Sequence, residues 1–178
     1  CYNTGNIYAQ NLGENGWVSG GHYESYQNAQ YAVGVCFSAD TIEQCFNAGN
    51  VTFSRDATVL SEPNYASYEF YSVGICALLN RVDNCFNSGT INMDLNYDEI
   101  ESGRYATYIG GICGSPDTNS LHGVGLYAVL KNVYNIGEVS GTVNGGVENE
   151  IPSYVGGILS YNDNAHFSNI YNIDKVSG

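Results

Sequence analysis

Basic side chains are scarce: Lys plus Arg number 5 against 18 Asp plus Glu in 178 residues, a formal net charge of −13. So negative a surface repels phosphate backbones and anionic lipid, which all but excludes nucleic-acid and membrane-surface binding. No run of about 18 apolar residues occurs, so no membrane-spanning helix is encoded. A basic n-region followed by an apolar h-region, the mark of a signal peptide, is also missing. No window sustains apolar residues at i, i+3, i+4 and i+7, which argues against a helical solenoid. Signatures of chemistry are equally thin. His22, His122 and His166 lie far apart, without H-E-x-x-H, G-x-S-x-G, G-x-x-x-x-G-K or C-x-x-C. The expectation is a protein that is not an enzyme, with no catalytic residue and no cofactor.

What the chain does have is self-similarity. Cys1-Tyr2-Asn3-Thr4-Gly5-Asn6-Ile7 returns at Cys45–Val51, at Cys85–Ile91, at Val133–Val139 and at Ile170–Val176. The starts at 1, 45, 85, 133 and 170 give a period of 37 to 48 residues. A second block alternates with the first: Tyr31–Cys36, Tyr71–Cys76, Tyr108–Cys113 and Tyr154–Leu159. A fixed period of this length marks a repeat architecture.

The residue types say which. Both blocks are short, β-branched and aromatic, and are bounded by Gly and Asn, the composition of strands and turns. Like residues at one register, repeat after repeat, suit strands stacked in parallel about 4.8 Å apart. Columns then run along the stacking axis. Tyr2, Phe46, Phe86, Tyr134 and Tyr171 form an aromatic column, and Ile7, Val51, Ile91, Val139 and Val176 an aliphatic one. Ile42, Val82, Leu130 and Phe167 form a further apolar column. Asn3, Asn47, Asn87, Asn135 and Asn172 form a polar one, suited to side-chain hydrogen bonding and to left-handed turn geometry. The expected fold is all-β: a right-handed parallel β-helix (β-solenoid) of about four to five coils over 1–178, with loop inserts on one corner.

Blocks of the form Y-V-G-G-I followed by C-Y-N-x-G-x-V-x-G resemble the GLUG-type repeats of large bacterial surface and secreted adhesin-like proteins. The resemblance covers most of the chain outside the inserts and departs from the pattern at Asp174, where earlier copies have Gly. It implies an extracellular or cell-surface location in a bacterium, and no chemistry. Because the first and last residues fall inside a block, the segment is expected to belong to a larger surface polypeptide.

Six cysteines in such a setting invite a disulfide framework. The columns argue for packing instead. Cys1, Cys45 and Cys85 align with Val133 and Ile170, and Cys36, Cys76 and Cys113 with Leu159. Free Cys behaves as a small hydrophobe in such slots, although the nine-residue spacing of Cys36/Cys45 and Cys76/Cys85 leaves a bridge across one coil open. Val35, Ile75, Ile112 and Ile158 sit beside the second Cys column. Both columns are apolar while strand alternation sends neighbours to opposite faces, so one of them is expected to face a covering insert.

Between the blocks lie segments 10–30, 54–70, 94–107 and 142–153, holding 11 of the 18 acids. Their aromatics include Trp17, Tyr23, Tyr26, Tyr65, Tyr68, Phe70, Tyr97 and Tyr105. Stacked loops are where repeat proteins usually bind, and Tyr and Trp offer large contact area at low entropic cost. Trp17, Tyr23, Tyr26, Tyr65, Tyr68, Tyr97 and Tyr105 are the candidate ligand-binding residues. The competing reading folds these rings down over the flank of the helix. Asp94, Asn96 and Asp98 begin like a calcium loop, but Gly is missing at its sixth position and Glu at its twelfth, which makes a solvated acidic loop the better reading. A further insertion, 117–129, lengthens the third coil.

The function expected is an extracellular binding or display module that presents aromatic and acidic loops to a host extracellular protein, immunoglobulin among the candidates, or to a glycan. A passive spacer is the alternative. A polysaccharide-degrading enzyme on a β-helix comes third, by fold analogy alone.

Overall fold

The computed structural model describes residues 1–11, 27–60, 67–100, 104–116, 128–144, 153–162 and 165–178. Among these residues the regular structure is strand, with no helix. The first repeat contributes β1 (Tyr2–Asn3), β2 (Ile7–Asn11), β3 (Gln27–Val33) and β4 (Cys36–Glu43). The second contributes β5 (Phe46–Asn47), β6 (Val51–Leu60), β7 (Ser67–Val73) and β8 (Cys76–Asn87). Then follow β9 (Ile91–Ile100), β10 (Arg104–Gly110) and β11 (Cys113–Pro116). The chain goes on through β12 (Ala128–Asn135), β13 (Val139–Asn144), β14 (Ser153–Gly156), β15 (Ala165–Asn172) and β16 (Val176–Ser177).

These strands make three parallel sheets. One runs β1-β5-β8-β12-β15, with β4 and β11 also paired to β8; the others run β16-β13-β9-β6-β2 and β14-β10-β7-β3. Register follows the repeat. Asn3 lies opposite Asn47, Asn47 opposite Asn87, Asn87 opposite Asn135, and Asn135 opposite Asn172. Tyr31, Tyr71, Tyr108 and Tyr154 align in the same way, as do Ile7, Val51, Ile91, Val139 and Val176. The expected all-β architecture of parallel strands is therefore present, and each column of like residues is a column in space.

Alternation along the strands sends one side of each sheet inward. Val51, Phe53, Phe70, Ile91, Met93, Leu95, Ile109 and Val139 pack in one buried cluster between the second and third sheets. Ile42, Ile75, Val82, Ile112, Leu130 and Val133 pack in another, under the first. Each such side chain contributes about 1.5 to 3 kcal/mol on leaving water. The Cys36 column and the Val35 column both belong to this second cluster, Cys36, Val35 and Leu159 at its edge. The expectation that one of them faces a covering insert is thus wrong. The amides of Ile75 and Cys76 both donate to the Ile112 carbonyl, at 2.9 and 3.0 Å. The chain bends at that point, alternation is interrupted, and consecutive residues fall on the same side.

The asparagine column is bonded along its length and buried at its three middle rungs, Asn47, Asn87 and Asn135. Asn3 Nδ2 donates to Asn47 Oδ1 (2.7 Å), Asn47 to Asn87 (2.7 Å), Asn87 to Asn135 (2.6 Å) and Asn135 to Asn172 (2.7 Å). Each Nδ2 also donates to the carbonyl two residues on, as from Asn87 to Gly89 at 2.7 Å. Left-handed backbone, expected at this column, occurs elsewhere: at Gln44, Asn84, Asn132 and Asn169, with φ between 50 and 53°. Asn tolerates that region, and here it turns the chain three residues before each ladder residue. A second, exposed ladder forms there, Asn132 Nδ2 donating to Asn84 Oδ1 and Asn169 Nδ2 to Asn132 Oδ1.

All six cysteines are free thiols; Cys45, Cys76, Cys85 and Cys113 are buried, Cys36 is half-buried and Cys1 is exposed. The four buried thiols, with Cys36 at the edge, pack against aliphatic neighbours, as the column alignment predicts. A thiol reagent under native conditions is expected to modify Cys1 rapidly and the four buried thiols only at the rate of unfolding, as liquid chromatography with mass detection would resolve. Rapid modification of Cys76 or Cys113 would contradict this packing.

Candidate functional site

Two of the segments read as loop inserts, 54–70 and 94–107, are in large part strand. β6 runs to Leu60 and β9 to Ile100, while β7 begins at Ser67 and β10 at Arg104. Their register continues that of the repeats: Arg55 pairs with Leu95, Ala57 with Tyr97 and Leu60 with Ile100. Only the connections between these strands remain as candidate loops. Their roots are stacked in neighbouring repeats on the second and third sheets, because the strands that lead into them are.

The candidate residues divide accordingly. Trp17, Tyr23, Tyr26 and Tyr65 lie outside the described residues, as does most of the 117–129 insertion. Tyr68 and Tyr105 are register partners on β7 and β10. Tyr97 lies on β9, one sheet away, opposite Ala57. Phe70 does not belong to a binding surface: it is fully buried, and the Arg55 guanidinium sits 5.6 Å from its ring centre. Alternation explains this, since Phe70 and Leu95 point inward from segments that the sequence alone makes look like loops. Asp94 and Asn96 stand on the extended strand β9, Asn96 Nδ2 donating to Asp94 Oδ1 at 3.3 Å and accepting from Asn144 Nδ2 at 2.9 Å. Asp98 follows on the same strand. An extended backbone does not curl round a cation as a calcium loop does. Among the described residues no group of three or more His, Cys, Asp or Glu converges on a point.

Two aromatic ladders, in contrast, are fully formed. On the first sheet Tyr2, Phe46, Phe86, Tyr134 and Tyr171 stack with centroids 5.0 to 5.2 Å apart and planes within 9°. On the third, Tyr31, Tyr71, Tyr108 and Tyr154 stack at 4.7 to 5.3 Å, with Phe37 and Tyr161 set edge-on at its ends. Ring faces are covered by neighbouring rings, so these ladders present edges and hydroxyls. Tyr71 donates its phenol to Glu69 Oε2 at 2.9 Å. The sequence marks this column only as the start of a block. Its signal is that all four copies are Tyr, whereas the first ladder accepts Phe at two of five positions.

Burial, and after it the Glu69 carboxylate, push the Tyr31 and Tyr108 phenols up to about 12, and Tyr71 further still. Burial likewise pushes the Cys85 thiol up to about 11. The folded protein thus holds these groups neutral while the unfolded chain releases protons from near 9.0 for Cys and 10.0 for Tyr. Their stabilisation is complete below the unfolded values and is lost as pH rises through the folded ones. The urea midpoint is expected to be level up to about pH 9 and to fall steadily from there to about pH 12. A level midpoint across that window would contradict the burial of these phenols and thiols.

No family model matches the chain, and no curated protein and no solved structure matches it.

Proposed function

We propose that the chain is a right-handed β-solenoid segment of a bacterial surface protein, and that it works as a binding or display module. Its ligand is a host extracellular protein or a glycan, reached through the connections that carry Trp17, Tyr23, Tyr26 and Tyr65 together with the strand roots at Tyr68, Tyr97 and Tyr105. One observation carries the reading: neighbouring repeats keep the same register right to the ends of the long strands, Tyr68 against Tyr105 and Leu60 against Ile100. Such stacking supports side-by-side display of successive connections from a rigid base. The GLUG-type resemblance adds the extracellular setting, and with it the choice of a secreted host glycoprotein, immunoglobulin included. A passive spacer is the second reading. The continuous asparagine and aromatic ladders favour it, because they stiffen the stack without reference to any ligand.

The two readings part in one experiment. The chain, and a variant with Trp17, Tyr23, Tyr65 and Tyr68 changed to Ser, are immobilised and exposed to human mucosal secretions. Specific capture by the parent, lost in a variant that melts at the same temperature, supports display. Capture by neither overturns it in favour of the spacer, and equal capture by both overturns these aromatics as the binding residues.

A further inference from the structure

Of the two ladders, the first places one pair of phenols in contact. Tyr134 on β12 and Tyr171 on β15 are register partners, with ring centres 5.1 Å apart and planes 4° from parallel. Tyr171 is 50% exposed and Tyr134 half-buried. On the far side Tyr134 meets Phe86, and Tyr2 at the other end meets Phe46, so no other phenols touch in this column. Strand pairing holds the two side chains in step, ring over ring. Reacting groups held together in this way couple with high effective molarity.

We infer that Tyr134 and Tyr171 form an oxidative modification site, at which a peroxidase-type oxidant with hydrogen peroxide joins neighbouring repeats through a dityrosine bond. Each phenol gives up one electron and one proton. The two phenoxyl radicals join through ring carbons beside their oxygens, and the hydrogens on those carbons move to oxygen as both rings regain aromaticity. Two electrons and two protons leave in all, and one hydrogen peroxide takes them up to become two waters. The cysteines do not supply such a staple: Cys45, Cys76, Cys85 and Cys113 are buried in aliphatic columns as free thiols. The Tyr31–Tyr154 ladder also stacks phenols, but Tyr71 is buried with its hydroxyl donated to Glu69, and the flanking rings are half-buried. Tyr171 is therefore more accessible to a protein-sized oxidant than the rings of that ladder.

The test treats the whole 178-residue chain with horseradish peroxidase and hydrogen peroxide, then maps cross-linked peptides by mass spectrometry. The expected result is a peptide pair linked between Tyr134 and Tyr171, lighter by two hydrogens, in monomeric protein, with a yield that survives tenfold dilution. Tyr134→Phe keeps a ring that the column already accepts at Phe46 and Phe86, and should reduce this linkage to background. Phe86→Tyr adds a phenol stacked on Tyr134, and should produce a new linkage between positions 86 and 134. Absence of the Tyr134–Tyr171 linkage, or its appearance only in dimers and in proportion to concentration, would overturn the inference.

Discussion

Asn87→Ala is expected to destabilise the fold by about 3 to 5 kcal/mol, read as a shift in the urea midpoint. Asn87 is fully buried at the centre of the ladder. Its Nδ2 donates to Asn135 Oδ1 and to the Gly89 carbonyl, and its Oδ1 accepts from Asn47 Nδ2. Truncation removes all three bonds and orphans groups on both neighbouring repeats, each costing about 1 to 3 kcal/mol when water cannot replace the partner. The side chain also fills the space over Gly74, so a cavity adds to the loss. Asn3→Ala, in contrast, removes bonds that are exposed or half-exposed, and should cost under about 1 kcal/mol. Equal losses at the two positions would mean that the ladder is not a buried chain of bonds.

Gly74→Ala is expected to cost about 3 kcal/mol or more, and to leave much of the protein insoluble at 37 °C. A methyl group there would collide with the Gly111 carbonyl oxygen of the next repeat and lie 2.8 Å from Asn87 Cγ. Backbone is on the receiving side, so no rotamer change relieves it, and separating the repeats would break the parallel ladder on either side. Gly5→Ala serves as the control. Its nearest neighbour would be Asn3 Oδ1 at 3.8 Å, an ordinary contact, and the change should stay within about 0.5 kcal/mol. Because Asn87 forms part of the obstacle, Gly74→Ala combined with Asn87→Ala should lose less than the sum of the two. Additive losses would place the strain wholly on the Gly111 backbone.

Much of this arrangement can be read from the sequence, because its repeats are copies of one pattern. Asn47, Asn87 and Asn135 announce a ladder by position alone, and Cys85 opposite Val133 announces an apolar slot. Features that depend on where the chain bends cannot be read so. Ile75 and Cys76 both turn inward because two amides share one carbonyl, a local departure that strict alternation hides. The left-handed residues Gln44 and Asn84 lie outside the aligned Cys-x-Asn block, so block alignment alone points to the wrong residue for the turn. Strand ends are hidden in the sequence for another reason. Arg55, Asp56 and Asp94 look like surface polar residues, yet pairing across repeats carries β6 and β9 past them. Pairing between segments about 40 residues apart leaves no mark in a local window. The candidate binding residues were legible as a cluster of aromatics, but which of them face outward is decided by strand alternation, and Phe70 went inward.

The proposed display and cross-linking alike depend on the repeats being held in one register by the buried carboxamides. Exchange of the side-chain amide protons of Asn47, Asn87 and Asn135, followed by nuclear magnetic resonance, measures this directly. Protons that donate to the next rung are expected to exchange only with global unfolding, slowed by orders of magnitude relative to the exposed Asn162. Exchange of the three at the rate of Asn162 would mean that the repeats are not joined through this column, and the account built on their stacking would fail.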